Sequence, residues 1–231
     1  MAWMEILLWA LSSSQPHAQP AVQPSCTAQM ASRGFTTQND AKHFGRTCLA
    51  QKGVTPQTLT RAEVTTLLEP ILTSGSPIVS LVPLDVENFC PGYASLGTVQ
   101  RAQMWRTLLT AMARPESNFK SAELYWEEDQ GQYSLGLMQL SFADEASYHC
   151  GLHDEADLTN PSTNLACAVR ILTRLVNRDN RIGGDLNHRT QGGAAYWSTL
   201  RKRATTPPGA PPISARTEII NAVRAVPACR S

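Results

Sequence analysis

The feature that most constrains this chain is a helical pattern of apolar residues that ends beside a glutamate. These residues recur at three- and four-residue steps, the spacing of one face of an α-helix: Val99, Ala102, Trp105, Leu108, Leu109 and Met112. Glu116 follows where the pattern ends. A carboxylate held rigidly beside apolar groups is disfavoured in its charged form, so its pKa rises. The pattern therefore predicts a carboxylic acid that stays protonated near neutral pH, as a general acid must.

A second block follows further along the chain, at Gly136-Leu137-Met138-Gln139. Such a segment can lie flat against a ligand, because the glycine lets the backbone come close. Between Glu116 and this block lies an acidic insert, Glu127-Glu128-Asp129. Residues 127–140 mix Gln, Gly, Tyr and Ser, which predicts a short hairpin or an irregular β-region.

Two further segments complete an ordered set of motifs. Asn160-Pro161 is a favourable N-cap and first-turn pair for a helix, and the apolar stripe that follows includes Leu165 and Leu172. Residues 192–203 predict another helix, which contains Ala194-Ala195-Tyr196.

The four motifs, in this order, resemble the lytic transglycosylase and goose-type lysozyme superfamily, which cleaves the glycan strands of bacterial peptidoglycan. The resemblance covers about residues 99–200, and in that family a catalytic glutamate opens a Glu-Ser motif that Gly-Leu-Met-Gln follows. It implies an α+β, mainly helical, lysozyme-like domain of the transglycosylase SLT type, with a small β-element beside the glutamate. The family's Tyr-Asn-Ala-Gly is here Tyr196-Trp197-Ser198-Thr199, so the chain departs from the pattern after the tyrosine.

The resemblance implies that Glu116 is the catalytic acid. Goose-type lysozymes also carry an acidic residue in the loop before Gly-Leu-Met-Gln, and Glu127 is the favoured second catalytic carboxylate. Glu128 is the alternative, since neighbouring side chains of an extended segment point to opposite faces. A solvated acidic turn is the other interpretation left open. The residues expected to bind substrate are Ser117, Trp126, Glu128, Ser134, Met138, Gln139 and Tyr196.

The expected contacts follow from the chemistry of these side chains. Trp126 would stack on a pyranose ring, although core packing is an equal alternative. Tyr196 would hydrogen-bond Glu116 or the sugar, and Gln139 would bind an acetamido group. Ser117 would orient Glu116.

The resemblance implies a muramidase that cleaves the β-1,4 bond between N-acetylmuramic acid and N-acetylglucosamine. A lytic transglycosylase that makes 1,6-anhydro ends is the alternative, and a wall-binding module without catalysis is a second one. The acidic insert at 127–129 further suggests a preference for de-N-acetylated strands, whose amines are cationic. No metal or organic cofactor is implied.

Composition limits the other function classes. The net charge of +1 gives no argument for nucleic acid, and no apolar run reaches the roughly 18 residues that span a bilayer.

We expect a signal-like, disordered segment at 1–25, an N-terminal helical extension at 26–75, and the catalytic domain at 76–231. The short apolar core near the N-terminus predicts a periplasmic or secreted protein, expected to be a monomer.

The chain contains an even number of cysteines, which predicts three disulfides and an oxidising compartment. They are Cys26, Cys48, Cys90, Cys150, Cys167 and Cys229. Sequence alone leaves the connectivity open, and Cys150 with Cys167 is the one pairing expected within the catalytic domain.

Overall fold

The computed structural model describes residues 24–34, 37–203 and 214–230. The helices are α1 (Cys26–Ala31), α2 (Gln38–Gln51), α3 (Arg61–Leu68), α4 (Pro77–Ser80), α5 (Val86–Phe89), α6 (Thr98–Ser117), α7 (Asp144–Tyr148), α8 (Pro161–Asp179) and α9 (Ala215–Arg224). The strands are β1 (Leu124–Glu127) and β2 (Gln132–Leu135). Short 3-10 helices span Tyr93–Ser95, Glu155–Thr159, Gly192–Ala195, Ser198–Leu200 and Pro227–Cys229. The expected mainly helical α+β fold is confirmed, while residues 1–23 of the predicted signal-like segment lie outside the described residues.

Helix α6 lies at the centre of the fold, because most of its apolar side chains are fully buried. They include Ala102, Met104, Trp105, Leu108, Leu109 and Met112. The helix packs against α9, α3 and α4. Val99 is 68% exposed, so the first position of the predicted stripe lies outside the core. The helix ends at Ser117, and Asn118 adopts a left-handed backbone conformation with φ of 52°. Glu116 is therefore fixed in the last turn of a buried helix.

The two strands form an antiparallel hairpin that the N-terminal extension holds in place. In its register Trp126 pairs with Tyr133, and Glu127 pairs with Gln132. Helix α2 packs on β1, and the Gln38 side-chain amide donates to the Trp126 carbonyl at 2.6 Å and accepts from the Trp126 N–H at 3.3 Å. The Tyr133 hydroxyl donates to the Ala41 carbonyl at 2.7 Å. These bonds hold both strands of the hairpin against α2.

Helix α8 begins as the sequence predicts and carries a buried asparagine. The Asn160 side chain caps it by accepting from the N–H groups of Ser162 and Thr163. Asn164 is fully buried, and its amide donates to the carbonyls of Leu135 at 3.0 Å and Leu158 at 2.9 Å. Its oxygen accepts from the Met138 N–H at 2.9 Å. One side chain thus holds the turn that follows β2.

All six cysteines pair, which confirms the expectation of three disulfides. The bonds are Cys26–Cys48, Cys90–Cys229 and Cys150–Cys167. The last is the pairing expected from the sequence. The first joins α1 to α2, and the second ties the chain after α9 to the end of α5.

The helix predicted for residues 192–203 is wrong. This region forms two 3-10 helices, Gly192–Ala195 and Ser198–Leu200. Gly192 has φ of +58°, and a Cβ there would lie 1.8 Å from the Arg181 carbonyl oxygen. The glycine therefore serves close packing in a conformation that an α-helix does not use. Across the described ranges, no helix combines the length and apolar character needed to cross a membrane.

Candidate active site

A cleft of about 310 Å³ brings together Glu116 and Glu127. The hairpin also contributes Gln130, Gln132 and Ser134. The segment after β2 contributes Gln139, Ser141 and Asp144, and the 3-10 region contributes Ala195, Tyr196, Trp197, Ser198 and Arg201. Polar side chains dominate this lining, which suits a hydroxyl-rich ligand.

Glu116 is largely withdrawn from solvent, and its electrostatic environment is that of a general acid. Burial raises the pKa of Glu116 to about 7; the hydrogen bond from Thr199 opposes this rise, and the nearby charge of Glu127 adds to it. The Thr199 hydroxyl donates to Glu116 Oε1 at 2.5 Å. Because Oε1 accepts this bond, Oε2 is the oxygen available to carry the proton. At neutral pH a substantial fraction of Glu116 is therefore protonated and able to donate.

Thr199 is a site residue that the sequence did not reveal. It occupies the last position of Tyr196-Trp197-Ser198-Thr199, where the chain departs from the family pattern, and that departure was the only available signal. Tyr196, expected to hydrogen-bond Glu116 or the sugar, lines the cleft and donates its hydroxyl to Asp144. Burial and the neighbouring Asp144 carboxylate hold the pKa of Tyr196 well above its usual value. The partner of the glutamate is thus Thr199 and not Tyr196.

Glu127 is the last residue of β1, and its side chain lies in the cleft. The Ser134 hydroxyl, on the neighbouring strand, donates to Glu127 Oε1 at 2.9 Å. Glu128 and Asp129 are exposed in the turn and do not line the cleft. The structure therefore places Glu127 in the cleft, while a substrate contact of Glu128, which follows the end of β1, stays a prediction.

Trp126 lies outside this cleft as well. Its ring packs edge-on against Tyr133, with centroids 5.0 Å apart. Side chains alternate along a strand, so Trp126 and Glu127 point to opposite faces. Trp126 packs against the core, which favours the core-packing interpretation over a sugar platform.

The Gly-Leu-Met-Gln block contributes only its glutamine to the cleft. A Cβ on Gly136 would lie 2.2 Å from the Leu158 carbonyl oxygen and 2.3 Å from Asn164 Nδ2. The glycine therefore allows close packing within the protein, and not the approach of a ligand. Met138 is fully buried, and its side chain does not line the cleft. Gln139 lines the cleft, where its amide donates to the carbonyls of Glu123 and Gly136.

Ser117, also predicted to bind substrate, lies outside the lining of the cleft. Its side chain is buried, and its hydroxyl donates to the Ala113 carbonyl one turn earlier, at 3.0 Å. The hydroxyl of Ser117 is therefore engaged by the backbone of its own helix and not by Glu116.

Two charged cleft residues were not predicted. Asp144 accepts hydrogen bonds from Tyr196 and from the Ser141 N–H, and burial raises its pKa. Arg201 directly follows the 3-10 helix Ser198–Leu200. Asp144 is the first residue of α7, and Arg201 had no local signal in the sequence. Within the described part of the chain, no group of three or more His, Cys, Asp or Glu residues is arranged to hold a metal ion.

Comparisons with known proteins agree with this geometry. Residues 96–198 match the model of the Transglycosylase SLT domain. The solved structure of wild-type Bd0314 DslA (form 2) is 36% identical to this chain, with a TM-score of 0.61 over 73% of this chain and 90% of that one. Two further structures are of DslA mutants with glutamine in place of glutamate at its positions 143 and 154. Both are 35% identical over the same shares of each chain, with TM-scores of 0.61 and 0.60. Comparison with curated proteins returned no match.

Proposed function

This chain belongs to the lytic transglycosylase and lysozyme-like superfamily of peptidoglycan-cleaving glycosidases, and on that basis we propose that it is a muramidase. It would hydrolyse the β-1,4 bond between N-acetylmuramic acid and N-acetylglucosamine, with Glu116 as the general acid and Glu127 as the second catalytic carboxylate. The observation that carries this proposal is the presence of both carboxylates in one cleft, with the pKa of Glu116 raised to about 7.

The two carboxylates have complementary environments. Glu116 Oε2 would deliver its proton to the glycosidic oxygen as the bond breaks and positive charge develops on the sugar ring. Glu127 accepts a hydrogen bond from Ser134, which orients its carboxylate. From that position it would take a proton from the water that attacks the anomeric carbon. A hydrolase of this kind leaves a reducing end on the cleaved strand.

The related structures add independent support for the pair. The glutamates replaced in the two DslA mutants are 154 − 143 = 11 positions apart. Glu116 and Glu127 are separated by the same number of sequence positions, 127 − 116 = 11. In a relative that is 36% identical, this equal spacing favours a shared two-carboxylate arrangement.

A lytic transglycosylase is the second candidate, because the matched family model is the Transglycosylase SLT domain. In that reaction Glu116 would act alone, first as acid and then as base. The 6-hydroxyl of the muramoyl residue would close a 1,6-anhydro ring in place of water. Mass spectrometry of a peptidoglycan digest separates the two, since reducing ends support the muramidase and 1,6-anhydro ends support the transglycosylase.

Glu127→Gln is expected to lower turnover on peptidoglycan by about 10²-fold or more, because an amide cannot accept the proton of the attacking water. Glu128→Gln is the matched control: it makes the same chemical change at the next residue, which is exposed in the turn. We expect near-normal turnover for that variant. An unimpaired Glu127 variant that releases 1,6-anhydro products would establish the transglycosylase instead.

Thr199→Val is expected to move the alkaline limb of the kcat/KM–pH profile to higher pH. The Thr199 hydrogen bond stabilises the ionised form of Glu116 and lowers its pKa, so its loss raises that pKa further. The acid would then stay protonated to higher pH, and the limb reports the pKa of the acid in the free enzyme. Thr199→Ser keeps a hydroxyl and should keep the wild-type limb. A limb that stays fixed or moves to lower pH in the valine variant would contradict the assignment.

We also propose that the cleft favours de-N-acetylated strands. With Glu128 and Asp129 outside the lining, the argument rests on Glu127 and Asp144, whose carboxylates could pair with a glucosamine ammonium. One wall preparation should be digested before and after enzymatic deacetylation, at low and moderate salt. Faster cleavage of the deacetylated wall, with a smaller advantage at moderate salt, is expected. Equal rates would remove the proposal.

We propose a periplasmic or secreted location, which the three disulfides support. Cell fractionation, with mass spectrometry of the exported chain, should find the protein outside the cytoplasm and shortened at its N-terminus. Recovery of the full-length chain in the cytoplasm would contradict this location.

A further inference from the structure

Arg201 is the one cationic side chain in the described lining of the cleft, and it is not used to neutralise the carboxylates there. Glu116, Glu127 and Asp144 each accept a hydrogen bond from a hydroxyl: Thr199, Ser134 and Tyr196 respectively. Over residues 24–34, 37–203 and 214–230, no carboxylate lies within 4.0 Å of the Arg201 guanidinium. A guanidinium kept apart from three carboxylates of its own cleft is available to an anionic ligand.

The protein also orients this guanidinium. Arg201 Nε donates to the Ala194 carbonyl at 2.9 Å, and Nη2 donates to the Ala195 carbonyl at 3.4 Å. These two carbonyls end the 3-10 helix Gly192–Ala195, so the backbone holds one edge of the planar group. Nη1 has no hydrogen-bond partner among the described residues. The side chain is half-buried, and Lys202 and Arg203 follow it on the surface.

We propose that Arg201 is a binding subsite for a carboxylate of the peptidoglycan strand. This inference rests on the proposed function, because it concerns the substrate of the same cleft. Every muramoyl residue carries a lactyl carboxyl group, which is either free or linked to a stem peptide that has carboxylates of its own. A fixed guanidinium presents paired N–H donors that match the two oxygens of a carboxylate. Arg201 would thereby select strands that bear muramic acid over neutral polymers of N-acetylglucosamine, and Lys202 and Arg203 would attract the same anion.

The alternative is that Arg201 only braces the carbonyls of Ala194 and Ala195. A bracing residue would affect every substrate alike, whereas a carboxylate subsite affects only substrates that carry the anion. Arg201→Gln should therefore be compared with the wild type on native strands and on strands whose carboxyl groups have been converted to amides. Arg61→Gln is the control, since Arg61 is exposed at the start of α3 and lies outside the cleft.

We expect Arg201→Gln to raise KM on native strands by about 10-fold, the loss typical of one hydrogen bond to a charged group. Its KM on amidated strands should match that of the wild type, and Arg61→Gln should match it on both. Strands stripped of stem peptide carry only the lactyl carboxylate, so a defect on stripped strands identifies that source. A defect confined to intact strands identifies the stem peptide.

Equal losses on native and amidated strands, or no loss on either, would overturn the subsite. Arg201→Lys keeps the charge without the planar fork, and it provides the same comparison if the glutamine variant folds poorly. A wild-type protein that cleaves neither substrate would instead refute the proposed function. A wild-type protein that cleaves both, with no difference specific to the variant, refutes only this inference.

Discussion

Glu116→Gln is expected to lower turnover on peptidoglycan by about 10²–10⁴-fold, because a glutamine of the same shape has no proton to give to the leaving oxygen. The measurement is the rate of release of soluble fragments from purified wall. Near-normal turnover would show that Glu116 is not the catalytic acid, and it would contradict the proposed mechanism.

The control for this variant is a measurement of its stability. The raised pKa of Glu116 determines whether the substitution is expected to stabilise or destabilise the fold. Glu116 has a pKa of about 7 in the folded protein, above its ordinary value of 4.5. The folded state therefore binds the proton more tightly than the unfolded state, and this contribution to stability is lost as pH rises from about 4.5 through 7. Glutamine does not ionise, so the variant should unfold at pH 8 no more easily than the wild type. A loss of activity with unchanged thermal unfolding isolates the chemistry from the fold.

The sequence predicted those parts of the site that local periodicity determines. The apolar spacing before Glu116 defined a buried helix, and Asn160-Pro161 defined the start of another. Glu127 lines the cleft and Glu128 does not, but the expected alternation is not the reason, since β1 ends at Glu127 and Glu128 lies in the turn that follows. The same alternation conflicts with placing both Trp126 and Glu127 in the site, and the structure resolves this conflict in favour of Glu127.

Periodicity could not predict the residues that reach the site only through tertiary packing. Thr199 reaches Glu116 across 83 positions of the chain, and it does so because residues 192–200 form two short 3-10 helices instead of one α-helix. Gly192, with φ of +58°, packs closely against the Arg181 carbonyl, so this segment does not begin as a regular α-helix. Ser117 follows the opposite rule, since its bond to Ala113 is the local i−4 contact common for serine in helices. The Ser117 hydroxyl is therefore used within its own helix and not in the site.

The second large effect is expected from the disulfide that closes the longest loop. Replacing Cys90 and Cys229 together with alanine should lower the free energy of unfolding by about 5 kcal/mol, since cross-linking a loop of this length strongly restricts the unfolded chain. The bond joins residues 139 positions apart and ties the chain after α9 to the end of α5. Because α9 packs on α6, which carries Glu116, the bond also supports the wall of the site.

The matched control is the double alanine variant of Cys150 and Cys167, which are 17 positions apart. It removes the same atoms, but the shorter loop predicts a loss of about 3 kcal/mol. Urea unfolding of the oxidised wild type and both variants measures the difference, after alkylation of the unfolded, unreduced wild type has found no free thiol. A greater loss from the shorter loop, or equal losses, would mean that native packing around the bonds, and not restriction of the unfolded chain, determines how much each disulfide stabilises the protein.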